Sequence, residues 1–302
     1  MLQSIKKYFL YPLRGIVNLF IVLFVTIFLP ICIYTIAFVV WIIPNKSWKR
    51  RGMLFLQRFS VYWIDVVFAM VYWTSYKKWD ISGPKSLRKD QSYLLISNHV
   101  GWMDIFILSY ALHRKTPPIK FFLKKQLLWT LPFAGLATYI LGYPFMERPS
   151  SSQIRKNPNL RTRDVETTRK ACEKIKIYPT TLINYVEGTR FSEEKRLRKN
   201  SPYRNLLPPK AGGLATVLEV LQGHLAGVIN ATIVHKPKVI TLWQFCCGNF
   251  DKIICHYEVI PIDQVNWGHY HENREDRIQF QAWLNTLWRE KDDFIDKVKS
   301  HP

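Results

Sequence analysis

A long apolar segment near the N-terminus constrains the fold of this chain more than any other feature. Residues 16–43 form a run of 28 positions without an acidic or basic side chain. About 20 apolar residues are enough for a helix to cross the hydrocarbon core of a bilayer. The run is too long for a cleavable signal peptide and lacks a small-x-small cleavage site. We therefore expect residues 1–50 to form a membrane anchor, either one helix or, because Pro30 lies near the middle, a hairpin of two half-helices.

A second apolar region, residues 53–73, contains Arg58 and Asp65. Charges at these positions make a second membrane span less favourable than a helix that lies at the interface or packs on a domain. We expect such an interfacial or packing helix within residues 51–80. The remaining length is sufficient for one sizeable domain, so residues 51–302 are predicted to form a single folded unit.

The distribution of charge indicates the kind of partner. The chain has 43 Lys and Arg against 22 Asp and Glu, and the first 64 residues contain eight basic side chains and no acidic one. From residue 241 onward, ten acidic side chains exceed seven basic ones. This bias fits an anionic membrane surface better than nucleic acid, for which no zinc-finger spacing or RNA-recognition signature is present. Five cysteines give neither a disulfide framework nor a metal-binding spacing, which favours reduced thiols on the cytosolic side and no bound metal.

The alternation of apolar β-rich runs with helical patterns predicts an α/β fold, a mostly parallel sheet flanked by helices behind the N-terminal anchor. In such sheets, ligands bind at the carboxyl ends of the strands. Strands are expected at 93–97, 119–123, 140–146, 181–186, 226–234, 239–247 and 252–260, and helices at 104–113, 126–138, 163–177, 211–222 and 275–298.

A histidine and an aspartate follow the first of these strands. His99 stands at the carboxyl end of the strand, and Asp104 comes five residues later, where a helix can begin. A carboxylate that accepts a hydrogen bond from Nδ1–H fixes the imidazole tautomer and leaves Nε2 free to take a proton. Because no serine nucleophile is nearby, a substrate hydroxyl is the expected nucleophile. By itself the spacing is also compatible with a helix-start aspartate beside a surface histidine.

Two further segments end in arginine after apolar runs. Gly188 in Val186-Glu187-Gly188-Thr189-Arg190 allows the backbone N–H groups to turn outward, and Arg190 can form a fork onto a phosphate. The other segment, Gly142 to Arg148, ends in the same way. Alone, the first is also compatible with a solvated turn in which Glu187 and Arg190 pair, and the second with an ordinary exit from a strand.

The three segments in this order resemble the lysophospholipid acyltransferase superfamily, whose best-known members are the 1-acylglycerol-3-phosphate acyltransferases. Asn98, His99 and Asp104 match the N-H-x4-D block, and Arg148 ends the match to F-[IM]-x-R. The third block, E-G-[TS]-R, is matched by residues 187–190. The Lys-Lys pair at 124–125 and the segment 206–213 are similar to the branch with the longer bacterial and lysocardiolipin-type members. The resemblance covers roughly residues 50–300.

The resemblance implies a role for each matched residue. His99 is expected to be the base, Asp104 to orient it, and backbone N–H groups near Gly101 to form the oxyanion hole. Within the substrate-binding part, Asn98 is expected to support the turn and Glu187 to position the loop or Arg190. The residues assigned to substrate binding are Asn98, Gly101, Lys124, Lys125, Arg148, Glu187, Gly188, Thr189 and Arg190.

The resemblance also implies a reaction. The expected enzyme transfers an acyl group from acyl-CoA or acyl carrier protein to a lysophospholipid, with 1-acyl-glycerol-3-phosphate as the first choice, and needs no cofactor or metal. The expected location is a membrane, the bacterial inner membrane, with the catalytic domain (residues 51–302) facing the cytoplasm. The family's fourth block usually contains a proline, and residues 227–233 contain none. Glycerol-3-phosphate, another lysolipid or a glycolipid therefore remain alternative acceptors. Hydrolysis by the His–Asp pair and a non-enzymatic membrane scaffold also stay open.

Overall fold

The computed structural model describes residues 9–85, 87–147, 155–157, 159–236 and 239–300. Its helices are α1 (Tyr11–Ile42), α2 (Lys46–Ser75), α3 (Asp104–Ala111), α4 (Leu127–Thr130), α5 (Ala134–Ile140), α6 (Asn159–Glu173), α7 (Glu193–Arg198), α8 (Ala211–Val220), α9 (Leu242–Cys247) and α10 (Arg274–Ser300). Its strands are β1 (Trp79–Ser82), β2 (Ser92–Ser97), β3 (Ile119–Phe121), β4 (Leu123–Lys124), β5 (Phe145–Met146), β6 (Thr181–Asn184), β7 (Leu225–Lys236) and β8 (Lys252–Pro261).

The two N-terminal helices form a hairpin joined by residues 43–45. Both are long and apolar enough to cross a membrane. α1 continues through Pro30, so the expectation that this proline divides the segment into two half-helices is wrong. Proline is tolerated inside long apolar helices where neighbouring groups satisfy the freed backbone. One face of α1 carries exposed aromatic side chains, including the stacked row Phe20, Phe24 and Phe28.

α1 also contacts the rest of the protein at two separate places. Near its start, Asn18 Nδ2 donates a 2.6 Å hydrogen bond to the carbonyl of Cys246 in α9. A side chain at Gly15 would place its Cβ 2.5 Å from Cys247 Sγ, so glycine is what permits this close approach. Further along, the Tyr34 hydroxyl donates to the carbonyl of Phe133, just before α5. Because residues 18 and 34 lie roughly 24 Å apart along a helix, α1 lies along the domain rather than projecting from it.

The second helix belongs structurally to both the hairpin and the domain. Leu56 and Phe59 pack with α1 and α5, whereas Val67 and Val71 pack with the helical layer on the sheet. α2 therefore packs against both the hairpin partner α1 and the sheet domain. The domain boundary predicted between residues 50 and 51 falls inside α2, because this helix continues across it without interruption.

A six-stranded sheet forms the centre of the domain, in the order β1-β8-β7-β2-β6-β3. Every neighbouring pair is parallel except β7 and β8, so the predicted mostly parallel α/β fold is confirmed. All six residues of β2 are buried, because helices cover both faces of the sheet. Leu94 and Ile96 face the layer of α6, α8 and α10. Tyr93 and Leu95 face α2, α3 and α9.

Three predicted elements differ from the structure. Residues 239–247 contain α9 instead of a strand, since Thr241 and Gln244 form a capping box and Gly248 ends the helix in a left-handed conformation. The helix predicted at 126–138 is divided into α4 and α5, with Pro132 in the break. Most of the strand predicted at 140–146 is absent; only β5 remains, and it pairs with β4 in a separate two-stranded sheet.

The order of the strands determines where the functional segments meet. β6 and β7 flank β2, with Ile96 opposite Asn184 on one side and Asn230 on the other. The carboxyl ends of these three parallel strands therefore share one edge of the sheet. This edge brings together the segment that follows β2, the segment that follows β6 and the last residues of β7.

Candidate active site

His99 and Asp104 are in direct contact at the edge of the sheet. His99 follows β2, and Asp104 is the first residue of α3. Asp104 Oδ2 lies 2.7 Å from His99 Nδ1, with the carboxylate 0% and the imidazole 17% exposed. This contact places the proton of the neutral ring on Nδ1 and leaves Nε2 as the basic nitrogen. The described part of the chain contains no hydrogen-bond partner for Nε2.

The same carboxylate also closes the turn between the two residues. Asp104 Oδ2 accepts hydrogen bonds from the backbone N–H groups of Val100, at 2.6 Å, and Gly101, at 3.0 Å. Burial raises the pKa of Asp104, but hydrogen bonds from His235 and His99, together with their charge when protonated, outweigh burial and hold this pKa below its usual value. Asp104 therefore remains a carboxylate at neutral pH.

The backbone donors near Gly101 are occupied. The sequence predicted that N–H groups after His99 form an oxyanion hole, yet those of Val100 and Gly101 point at Asp104. An N–H group that already donates to a buried carboxylate is not available for a developing negative charge. The assignment of the Gly101 N–H as an oxyanion donor is therefore wrong.

Asn98 extends the pairing of β2 with β7 by one step. Its Nδ2 donates to the carbonyl of Ile233 at 2.9 Å, and its Oδ1 accepts from the N–H of Ile233 at 2.8 Å. The side chain is buried and its amide is used by the protein. Asn98 therefore supports the turn that presents His99.

The segment after β6 covers His99. The ring of Tyr185 stacks on the imidazole, with centroids 4.0 Å apart and planes inclined by 14°. The N–H of Phe191 donates a 2.7 Å hydrogen bond to the carbonyl of His99. Burial, and then the charge of Asp104, raise the pKa of Tyr185 well above its usual value, so it stays a neutral phenol. The sequence analysis missed Tyr185, although its place at the end of a strand neighbouring β2 was available as a signal.

The predicted phosphate-binding turn lies beside this pair. Gly188 has a φ of +70°, which favours glycine, and its N–H donates to the carbonyl of Tyr185. The guanidinium of Arg190 lies 4.0 Å from the ring of Trp102, a residue between His99 and Asp104 that is 69% exposed. This cation–π contact holds Arg190 next to the histidine turn.

A lysine that the sequence analysis did not single out stabilises the same turn. Lys195 Nζ donates to Thr189 Oγ1 at 3.0 Å and to the carbonyl of Arg190 at 2.9 Å. The hydroxyl of Thr189 is thus used to shape the turn. The backbone N–H groups of Thr189 and Arg190 have no acceptor in the described part of the chain.

Glu187 points into the protein. It is 0% exposed, and its Oε2 accepts a 3.3 Å hydrogen bond from the N–H of Leu207. No ion pair joins it to Arg190 among the described side chains, so Glu187 positions the neighbouring loop instead of the arginine. Burial raises the pKa of Glu187 to about 8, although backbone N–H groups and nearby lysines oppose this shift. Glu187 is therefore mostly protonated at neutral pH.

The two lysines predicted between the first and second segments do not contact this site in the described residues. Lys124 and Lys125 lie at the β4–β5 sheet, where Lys125 forms a 2.7 Å ion pair with Glu147 and Lys124 is exposed. In the described ranges, neither lysine contacts His99, Asp104 or Arg190. Arg148 lies outside the described residues, so its predicted role stays a prediction.

Comparisons with known proteins bear on the family and the fold of this chain. A family model described as Acyltransferase matches residues 78–240, a range that contains the histidine turn, Arg190 and all of β7. A solved structure of the 1-acyl-sn-glycerophosphate acyltransferase PlsC from Thermotoga maritima is similar in fold, with a TM-score of 0.53 and 17% sequence identity. The similarity covers 96% of this chain and 99% of that one. No curated protein matches the chain in sequence.

The buried carboxyl of Glu187 predicts a pH-dependent stability. Its folded pKa of about 8 exceeds the ordinary 4.5, so between these values the folded state binds more protons than the unfolded state. Glu187 therefore lowers the free energy of unfolding as the pH rises from 5 to 8, by at most about 1.4 kcal/mol per pH unit. We expect Glu187→Gln to lose this decline, as measured by urea unfolding in detergent at several pH values. The exposed variant Glu290→Gln is the control and should follow the wild type; parallel curves for Glu187→Gln and wild type would contradict the prediction.

Proposed function

The chain belongs to the acyltransferase family, and from this premise we propose that it transfers a fatty acyl group from a thioester donor to the free hydroxyl of a lysophospholipid. The donor is acyl-CoA or acyl carrier protein, and the acceptor is 1-acyl-glycerol-3-phosphate, which yields phosphatidate. The observation that carries this proposal is the 2.7 Å contact of His99 with a buried carboxylate, next to an arginine held by Trp102. This arrangement supplies a base and a phosphate-binding group without a nucleophile of its own.

The proposed reaction begins with proton removal. His99 Nε2 takes the proton of the acceptor hydroxyl as its oxygen attacks the thioester carbonyl carbon, and a tetrahedral intermediate forms. When the intermediate collapses, the carbon–sulfur bond breaks, and the thiolate recovers the proton from the imidazolium. Asp104 keeps the imidazole in the reactive tautomer and stabilises its positive charge. The reaction needs no cofactor beyond its two substrates.

The acceptor phosphate is proposed to bind at the turn of residues 188–190. The guanidinium of Arg190 offers a planar set of donors that matches a phosphate, and the N–H groups of Thr189 and Arg190 are unused. Because the N–H of Gly101 donates to Asp104, the unused N–H groups of Thr189 and Arg190 are also proposed as donors for the oxyanion. Lys124, Lys125 and Arg148 are proposed to add positive potential around the anionic substrates.

We further propose that the hairpin of α1 and α2 holds the enzyme on an anionic membrane. The exposed aromatic face of α1 and the eight basic residues among the first 64 support this location. A cytoplasmic domain on the bacterial inner membrane is the proposed setting. Lysolipid acceptor and product both reside in the bilayer, so a domain that lies along its own apolar hairpin is well placed to reach them.

The reaction is tested with purified protein in detergent, radiolabelled oleoyl-CoA and a panel of lysolipids, glycerol-3-phosphate and glycolipids. We expect label in one diacyl product, no activity in His99→Ala, and a loss on the order of 10⁴ in kcat for Asp104→Asn, because the tautomer of His99 is no longer held. The exposed variant His224→Ala is the matched control and should retain activity.

Other outcomes of this assay separate the alternatives. Release of free fatty acid without an acceptor indicates hydrolysis. Unchanged activity in His99→Ala overturns the assignment of the base. If neither oleoyl-CoA nor oleoyl acyl carrier protein donates to any acceptor, the scaffold interpretation is favoured.

Arg190 is expected to recognise the acceptor, not the donor. Arg190→Ala should raise KM for the phosphate-bearing acceptor by about tenfold or more, because a charge-assisted pair is lost, while KM for the thioester stays near the wild-type value. Arg198→Ala, on the exposed side of α7, is the matched control. An equal rise in both KM values would show that Arg190 has no specific role in binding the acceptor.

Membrane binding is expected to depend on the aromatic face of α1. Replacing Phe20, Phe24 and Phe28 by serine removes apolar area that the bilayer would bury, at about 25 cal/mol per Å². The triple variant should therefore co-sediment less with vesicles that contain anionic phospholipid. Ile278→Ser changes an exposed apolar residue on α10 and serves as the control. Equal sedimentation of the triple variant and wild type would show that this face does not bind the membrane.

A further inference from the structure

A second histidine lies on the other side of Asp104. His235 belongs to β7, and its side chain is 1% exposed. Its Nε2 lies 3.4 Å from Asp104 Oδ1, the carboxylate oxygen that does not contact His99. Neither of these two buried atoms has a hydrogen-bond partner elsewhere in the described part of the chain. A buried donor and a buried acceptor that face each other without other partners are costly unless they pair.

The tautomer of His235 follows from its other nitrogen. The backbone N–H of Ile240 donates a 3.1 Å hydrogen bond to His235 Nδ1. Nδ1 must therefore carry a lone pair, and the proton of the neutral ring lies on Nε2, directed at Asp104. The distance of 3.4 Å is longer than the roughly 2.9 Å of an ordinary N–H···O bond, so the contact is a weak one in this conformation.

The register of the sheet places His235 at this position. The double hydrogen bond between Asn98 and Ile233 aligns β7 with the turn after β2. His235 comes two residues after Ile233 and so points to the same face of the sheet, toward α3. Val239 packs against the outside of the turn, since a Cβ at Gly101 would lie 3.2 Å from its side chain.

We propose that His235 is a positioning residue, which donates its Nε2–H to Asp104 Oδ1 so that the carboxylate is held between two imidazoles with Oδ2 directed at His99. This role depends on the proposed function in one respect, which is that His99 acts as the base. His235 does not touch the substrate. It acts through Asp104, because a carboxylate held at both oxygens cannot rotate away from Nδ1 of His99.

The other titratable groups near Asp104 do not stabilise its carboxylate near neutral pH. Tyr185 after β6 and Cys255 on β8 are the other groups whose charge would act on Asp104. Burial raises the pKa of Cys255 to about 12 and that of Tyr185 well above its usual value, so both are neutral. Lys291 of α10 donates to the carbonyl of Ala231 and to Thr232, and burial lowers its pKa to about 7. Lys291 is unchanged in every variant proposed below, so its influence on the pH profile is the same in all of them.

Loss of the donor has a defined consequence for the base. Without His235 the buried carboxylate is less stabilised, so it attracts the second proton of His99 more strongly. His99 then becomes unprotonated only at higher pH, and the acid limb of the kcat/KM profile moves upward. A hydrogen bond to a buried charge corresponds to a shift on the order of one pH unit.

The experiment compares His235→Phe, which keeps a ring without a donor, with His235→Gln, whose amide offers a donor and an acceptor. Acyl transfer by full-length protein in detergent is measured from pH 5 to 9. We expect the phenylalanine variant to shift the acid limb upward by about one pH unit, so that its kcat/KM is about tenfold lower below pH 6 while its KM values are unchanged. The glutamine variant should restore the wild-type profile. His256→Leu, a half-buried histidine on β8 that faces α10, is the matched control.

A second readout does not require acyl transfer. In histidine-labelled protein, NMR titration of the His99 ring should give a higher midpoint in His235→Phe than in wild type or His235→Gln. This shift would support the proposal even if the proposed reaction fails. Equal His99 midpoints in all three proteins would overturn it, as would a parallel loss of activity in both variants without movement of the acid limb. If His235→Phe does not fold, His235→Leu is judged by the same two criteria.

Discussion

One buried carboxylate organises the functional edge of this protein. Asp104 accepts hydrogen bonds from the His99 ring and from two backbone N–H groups of the turn, and its second oxygen faces His235. A charge that is fully removed from water is tolerated only where donors surround it. The turn, the histidine and the start of α3 are therefore arranged around this group, and a displacement of any one of them would remove at least one hydrogen bond from the carboxylate.

The sheet provides the frame in which this arrangement is possible. β2 lies between β6 and β7, all three parallel, so that their carboxyl ends meet at one edge. Asn98 continues the pairing with β7 beyond the end of β2, and Phe191 binds the carbonyl of His99 from the other side. The histidine turn is thus attached to β7 and to the segment that follows β6, which fixes the orientation of His99.

Regular patterns in the sequence predicted the alternation of strands and helices, the long apolar N-terminal segment and the contact of His99 with Asp104. The predictions that failed depended on competing local signals. Residues 239–247 are rich in β-forming side chains, yet the capping box of Thr241 and Gln244 starts a helix there. Gly101 has the small size expected of an oxyanion turn, but its N–H group is used by Asp104, a competition that spacing alone does not reveal.

The sequence by itself determined the pairing of His99 with Asp104, because a histidine and an aspartate five positions apart at the start of a helix are local neighbours. It also determined the apolar length of the hairpin. Only the tertiary structure decided which distant groups complete the site. Tyr185, Trp102 and His235 meet the catalytic pair because strands separated by many residues pair side by side, and such contacts depend on strand order and register rather than on spacing along the chain.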